Sequence, residues 1–373
     1  MLVAKILWVV FFSTLAMMRD SFAIELKFEQ GYADNLDRIF LPKDRALHTS
    51  RFIVNGKFKE KILGLTMVAS PTLNLNYSHS DHDLRDKAIS APVVMIKPIK
   101  KGLTGFMADV GFNGGHSYAY NVISNDHEKL FSDSYFLEAQ AFFIKKITSN
   151  IKSSNFIGLR AEDYKKTYSV YLNEENDNLR PLFQSDLEGK WGPKLPYKFS
   201  FLTQRNIYRE RRALSKEGLF VSTGEKLVPD IIDNHSLSYL QTYESNANSS
   251  FSLGPVINLN EDRVNGGRSY FGKGVNGLAA LTLLNLETEM NVSYLKREYR
   301  TQLSTFQETT TNEKLEDESF IYGLTLNKKL PRDINLSFKS VIENTVSNQR
   351  DSLGRRMSNY KTQLFSLIIS RNI

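Results

Sequence analysis

Apolar side chains fall on every second residue along much of this chain. In ASPTLNLNYSHS (69–80), Leu73, Leu75 and Tyr77 alternate with Thr72, Asn74, Asn76 and Ser78. A period of two turns one face of a strand toward an apolar phase and the other toward water. The shape recurs in KLPYKFSF (194–201) and KLPRDINLSF (329–338), and more loosely in IKPIKKGLTGFMADV (96–110). A proline precedes the alternation in each case. Proline has no N–H for a ladder bond, so it reads as a turn that launches a strand. Turns are therefore predicted at Pro71, Pro98, Pro196 and Pro331.

Other segments carry the same signature. Tyr135, Leu137, Ala139, Ala141 and Phe143 share one face of SYFLEAQAFF, and Glu138 and Gln140 share the other. Met290, Val292 and Tyr294 line up further along, as do Phe365, Leu367 and Ile369 near the end. Read this way, residues 24–373 hold about 16 strands, in a range of about 14–18. No convincing helical spacing interrupts them.

Three features select the architecture. Several segments run to ten residues or more, the length a tilted membrane strand needs and about twice a typical soluble strand. Long polar stretches alternate with short turns, as in barrels with short turns at one rim and longer loops at the other. Tyr77, Tyr118, Tyr120, Tyr168, Tyr294 and Tyr299 stand near predicted strand ends, where an interfacial aromatic girdle forms. A closed sheet is also the only sheet that satisfies every backbone group in lipid. The predicted fold is all-β, a closed antiparallel transmembrane β-barrel in one domain, residues 24–373.

The first residues set the route. MLVAK is a short basic start, Ile6 to Met18 is apolar, and Ser21-Phe22-Ala23 ends in a small-residue cleavage pattern. This reads as a secretory signal peptide over 1–23, cut after Ala23. The apolar run is too short to span a bilayer. The chain has no cysteine, which excludes disulfides, thiol chemistry and a lipidated cysteine. Net charge is +7 and charged residues make up 24 %. An exported basic barrel meets anionic lipid and lipopolysaccharide phosphates rather than nucleic acid.

Candidate chemistry is sparse. Gly272, Gly274 and Gly277 spell a GxGxxG, but a strand hairpin follows where a dinucleotide site needs a helix, so it reads as loop glycines. His79, Asp81, His82 and Asp83 have ligand-like spacing but sit at a predicted loop tip, and no metal is assigned to them. None of the six histidines lies in a catalytic motif, and no catalytic or cofactor-binding residue is assigned. The densest basic patch, RERRALSK, is a predicted loop whose Arg209, Arg211, Arg212 and Lys216 suit lipopolysaccharide phosphates. Glu138, Gln140, Lys198 and Asn335 are the predicted lumen-facing side chains.

The strand alternation, GYADN (31–35), SPTLNLNYSHSD, LPRDINLSF and a strand at the C-end together resemble the Gram-negative outer-membrane β-barrel proteins, porin-like families in particular. The barrel half of the surface-lipoprotein assembly modifiers is a weaker likeness, and the helical repeats those proteins carry upstream are missing here. The resemblance implies an outer-membrane location, insertion by the barrel-assembly machinery and passive passage of small polar solutes. Such barrels usually end in an aromatic residue, whereas this chain ends SLIISRNI. A non-conducting surface barrel (adhesin, scaffold or export accessory) and an outer-membrane hydrolase are the competing classes. Nothing in the sequence marks a subunit interface.

Overall fold

The computed structural model describes residues 22–34, 46–62, 64–79, 83–121, 126–131, 133–164, 177–212, 222–223, 226–227, 229–246, 248–264, 269–306, 309–348 and 360–372. They build a closed barrel of 16 antiparallel strands. In chain order the first eight are β1 (Phe22–Asp34), β2 (Ala46–Ile62), β3 (Leu65–Ala69 with Thr72–Ser78), β4 (Asp83–Ser90 with Val93–Ile99), β5 (Gly102–Asn121), β6 (Asp126–Phe131 with Ser134–Lys146), β7 (Ile151–Tyr164) and β8 (Asn178–Lys190). The second eight are β9 (Pro196–Arg212), β10 (Pro229–Asn246), β11 (Ser249–Asp262), β12 (Tyr270–Leu283), β13 (Leu286–Phe306), β14 (Thr309–Leu330), β15 (Ile334–Ser347) and β16 (Tyr360–Asn372). A two-residue ladder, Ser222–Thr223 against Lys226–Leu227, lies between β9 and β10.

Each strand pairs with its sequence neighbours, and β1 pairs also with β16, from Glu25 opposite Asn372 to Asp34 opposite Gln363. That last ladder removes both sheet edges, so no row of backbone donors and acceptors is left unpaired toward lipid. The predicted leader lies outside the described residues except for its last two: Phe22 and Ala23 begin β1, opposite Phe58 and Lys57.

Register carries the alternation from strand to strand. Phe28 faces Phe52 on one side and Ile369 on the other, and Phe106 faces Met95 and Ala141. These side chains are on the exposed face, together with Leu137, Ile157, Phe251, Met290 and Tyr322. Most of the buried residues, by contrast, are serine, threonine, asparagine, aspartate or glutamate. This is the reverse of a soluble core. It is the arrangement of a sheet whose outer face meets hydrocarbon and whose inner face meets polar groups.

The turns at one rim are short. Lys101, Leu284, Asn285, Arg332 and Asp333 take left-handed backbone there. At the β12–β13 turn both central residues, Leu284 and Asn285, have positive φ (50° and 63°), the type I′ pattern that matches strand twist. By the rule for such barrels this rim is periplasmic and the opposite rim extracellular.

Two expectations are corrected. Pro71 is not a turn. The turn falls at Gly64, and β3 runs on through Ser70 and Pro71, with Gly56 donating to the Pro71 carbonyl (2.8 Å) and Ser70 to the Pro92 carbonyl (2.9 Å). Pro71 and Pro92 each withhold one ladder donor, so the paired strands β3 and β4 are interrupted at neighbouring rungs. The other three prolines do lie at or beside periplasmic turns. Several predicted loops are also strand. β9 continues to Arg212, and β13 and β14 are separated only by 307–308. Strand that rises above the membrane has water on both faces, so nothing forces its residues to alternate.

Candidate functional site: the inner wall of the barrel

The inner wall is built by the residues between the outward ones. On β6, Leu137, Ala139 and Ala141 face out, which turns Glu138 and Gln140 inward. Glu138 stands opposite Asp109 of β5 and Arg160 of β7. Gln140 donates to Glu138, and Arg160 Nη1 lies 3.3 Å from Glu138 Oε2. Arg160 also reaches Glu162 (3.4 Å) and lies 4.2 Å from the centroid of the Phe136 ring. Glu162, 7 % exposed, is the centre of this cluster. It accepts from Arg180 Nη2 at 2.6 Å and from Ser134 Oγ at 3.1 Å. A buried carboxylate held by two guanidiniums and a hydroxyl is satisfied on both oxygens.

A second inward cluster lies nearer the periplasmic rim. Lys198 on β9 reaches Asp186 (3.2 Å) and Glu188 (3.4 Å) on β8, and Lys152 on β7 reaches the same Glu188 (3.3 Å). Lys146, Lys190, Tyr197 and Thr242 are among the further residues that line a cavity of about 350 Å³ beside these groups. Asn335 sits elsewhere, at the start of β15 opposite Lys329 and Ser370. Of the predicted lumen residues, Glu138 and Gln140 share one cluster, Lys198 belongs to the second, and Asn335 is apart from both.

Sequence reading missed Arg160, Glu162, Arg180, Asp186 and Glu188. Their signal was the parity already used for β6, carried across two ladders. The charged run in β7 hid it, because an outward Asp163 breaks the apolar alternation.

The basic patch is split. Arg209, Arg211 and Arg212 have their backbone in β9 rather than in a loop, and Lys216 lies outside the described residues. Outward charges stand on nearby strands, where Asp233 is held by Arg205 (2.6 Å) and Arg263 (2.7 Å). Of the histidine–aspartate stretch, Asp81 and His82 lie outside the described residues. His79 faces out and bonds to Ser50 Oγ (2.6 Å). Among the described residues no group of three metal-ligating side chains comes together.

Gly272 and Gly274, read as loop glycines, lie inside β12. A Cβ on Gly274, or on Gly254 of the adjacent β11, would collide with a carbonyl of the neighbouring strand, Tyr294 and Tyr239 respectively. Tyr294 joins the outer girdle beside Phe320, with ring centroids 4.7 Å apart. Tyr77 also faces out. Tyr299 does not, since its odd position on β13 turns it inward, where it donates to Asp317 (3.2 Å). The side chains of Tyr118 and Tyr120, and all of Tyr168, lie outside the description.

No protein-family model matches the chain, and no curated protein matches it in sequence. Solved structures do match in shape. OccAB3 of Acinetobacter baumannii aligns over 95 % of this chain and 100 % of its own, with a TM-score of 0.51 and 8 % identity. CdiB of Acinetobacter baumannii aligns over 93 % of this chain and 60 % of its own, with a TM-score of 0.51 and 10 % identity. Pseudomonas aeruginosa OprD aligns over 95 % of this chain and 96 % of its own at 11 % identity, with a TM-score of 0.48, too low to bear on the argument. The chain folds as an outer-membrane β-barrel. At these identities the likeness speaks to the fold alone, and the inner wall has to be read from its own residues.

Proposed function

We propose that this barrel is a porin-like passive channel for small polar solutes. The observation that carries the reading is the reversal of polarity across the wall: exposed apolar side chains outside, charged and hydroxyl side chains inside. Barrels of 16 strands leave an aqueous passage where smaller ones are filled by their own side chains. Among the described residues, substantial contacts run only between ladder neighbours, so no described strand crosses the interior. Inward Asn76 and Asp186 each keep a buried oxygen, Oδ1, without a protein partner. Such groups need water or a passing solute.

In this reading Glu138, Gln140, Lys198 and Asn335, with Arg160, Glu162 and Arg180, set size and charge preference by lining the path. No chemical step is involved, and the protein is not an enzyme. The leader is removed after Ala23, the assembly machinery inserts the barrel, and Arg209, Arg211, Arg212 and Lys216 meet lipopolysaccharide phosphates. The test is planar-bilayer recording of the refolded protein. Discrete conductance steps support the channel. A folded, inserted protein that carries no current is instead a non-conducting surface barrel.

A further inference from the structure

The inward charges are sorted along the barrel axis. Toward the extracellular rim the described inward acids include Asp86, Asp109, Glu138, Glu162, Asp262 and Asp317. The described inward cations there are Arg51, Arg160, Arg180 and Arg297, and with Glu29 and Glu343 the acids outnumber them two to one. Within the last few residues before the periplasmic turns the order inverts. Inward lysines, among them Lys57, Lys61, Lys146, Lys152, Lys198 and Lys339, outnumber the inward acids. Every described inward cation in this lower zone is a lysine, and every one in the upper zone is an arginine.

The two zones do not cancel. Lys152 and Glu162 stand on the same strand, β7, near its opposite ends. At a strand rise of about 3.3 Å per residue and a tilt of about 40°, they are about 25 Å apart along the axis. Screening in 0.15 M salt acts over about 8 Å, so each zone presents its own sign to a passing ion.

Resting on the channel reading, we propose that the lumen is electrostatically bipolar, acidic outside and basic at the periplasmic mouth, and is suited to small zwitterionic solutes. Cations enter readily through the acidic zone, and anions through the lysine zone. When the extracellular side is held positive, both are driven toward the junction and accumulate there. The opposite polarity drives each ion first into the zone that repels it and depletes the junction. A solute carrying both charges lies along this field with its cationic end outward, and it meets no zone that opposes its net charge.

The experiment is current–voltage recording in 0.05 M and 1 M KCl. Orientation is fixed by Leu284→Cys, on a fully cysteine-free background, in the periplasmic β12–β13 turn where Leu284 is 89 % exposed. Biotinylation and one-sided streptavidin then report which rim faces which chamber. The expected result is a current about two-fold larger with the extracellular side positive at 0.05 M, fading in 1 M salt. The combined variant Lys57→Gln, Lys61→Gln, Lys146→Gln and Lys152→Gln loses it. In liposome swelling, alanine passes about two-fold faster than its uncharged isomer lactamide, and the quadruple variant erases the difference. A conducting but symmetric channel, or one that rectifies in the other sense, overturns the bipolar lumen and leaves the channel reading standing. Equal swelling rates overturn the zwitterion preference. No current at all overturns the channel reading and this inference with it.

Discussion

Phe28 of β1 and Ile369 of β16 stand directly opposite each other across the seam that closes the barrel, both on its exposed face. One rung away Lys27 faces Ser370, on the inner face. The first and last strands are thereby in a single register with the rest of the sheet.

That register predicts a cross-link. Residues directly opposite in an antiparallel pair have Cα atoms about 4.5–5.5 Å apart, within disulfide range. The double variant Lys27→Cys, Ser370→Cys should oxidise in folded protein to a chain closed between these positions. On a non-reducing gel after boiling, it should migrate apart from the reduced form. Mispaired controls one residue off, Leu26→Cys with Ser370→Cys, should cross-link poorly.

Glu162 predicts a stability effect. Its carboxylate is buried and holds Arg160, Arg180 and Ser134. Glu162→Ala leaves two guanidiniums facing each other across paired positions on β7 and β8, since Arg160 stands opposite Arg180. The expected loss is about 2 kcal/mol, read from urea unfolding in lipid vesicles. Replacing Glu162 and Arg180 together by glutamine should recover part of it, because Arg160 keeps Glu138 as its partner and no unpaired guanidinium remains.

Adjacent residues on β6 should respond in opposite ways. Ala139 faces out, opposite Ala108 and Leu159. An arginine there meets hydrocarbon, and Ala139→Arg should destabilise folding by about 2–4 kcal/mol. Gln140→Arg places the same side chain inside, where polar groups can receive it. It should fold with near-normal yield, judged by heat-modifiable gel mobility, and change conductance instead.

The two faces were legible to different degrees. Alternation across Tyr135–Phe143 and Met290–Tyr294 was plain in the sequence because lipid enforces it, and the number of strands followed. The proline reading succeeded where a proline stands beside a turn, at Pro98, Pro196 and Pro331. It failed at Pro71, because a strand inside a barrel tolerates one lost donor when its carbonyl still accepts from Gly56. The inner clusters were only half visible. Glu138 and Gln140 stood out between apolar neighbours, whereas Glu162 and Arg180 gained meaning only through the ladder that sets Arg160 opposite Arg180. Axial sorting of lysine and acid was hidden for the same reason: successive strands run in opposite directions, so sequence order scrambles depth.

The central claim is that one face of this wall meets water inside a passage while the other meets lipid. Ile257 and Asn258, neighbours midway along β11, test it most directly. Ile257 faces out and is 42 % exposed, and Asn258 faces inward between Ser236 and Gly272. Each is replaced in turn by cysteine, and the membrane-inserted protein is treated with a charged, membrane-impermeant thiol reagent. The account predicts rapid labelling of Asn258→Cys, with a drop in channel current, and protection of Ile257→Cys. Protection at both positions, or labelling of Ile257→Cys alone, would contradict it.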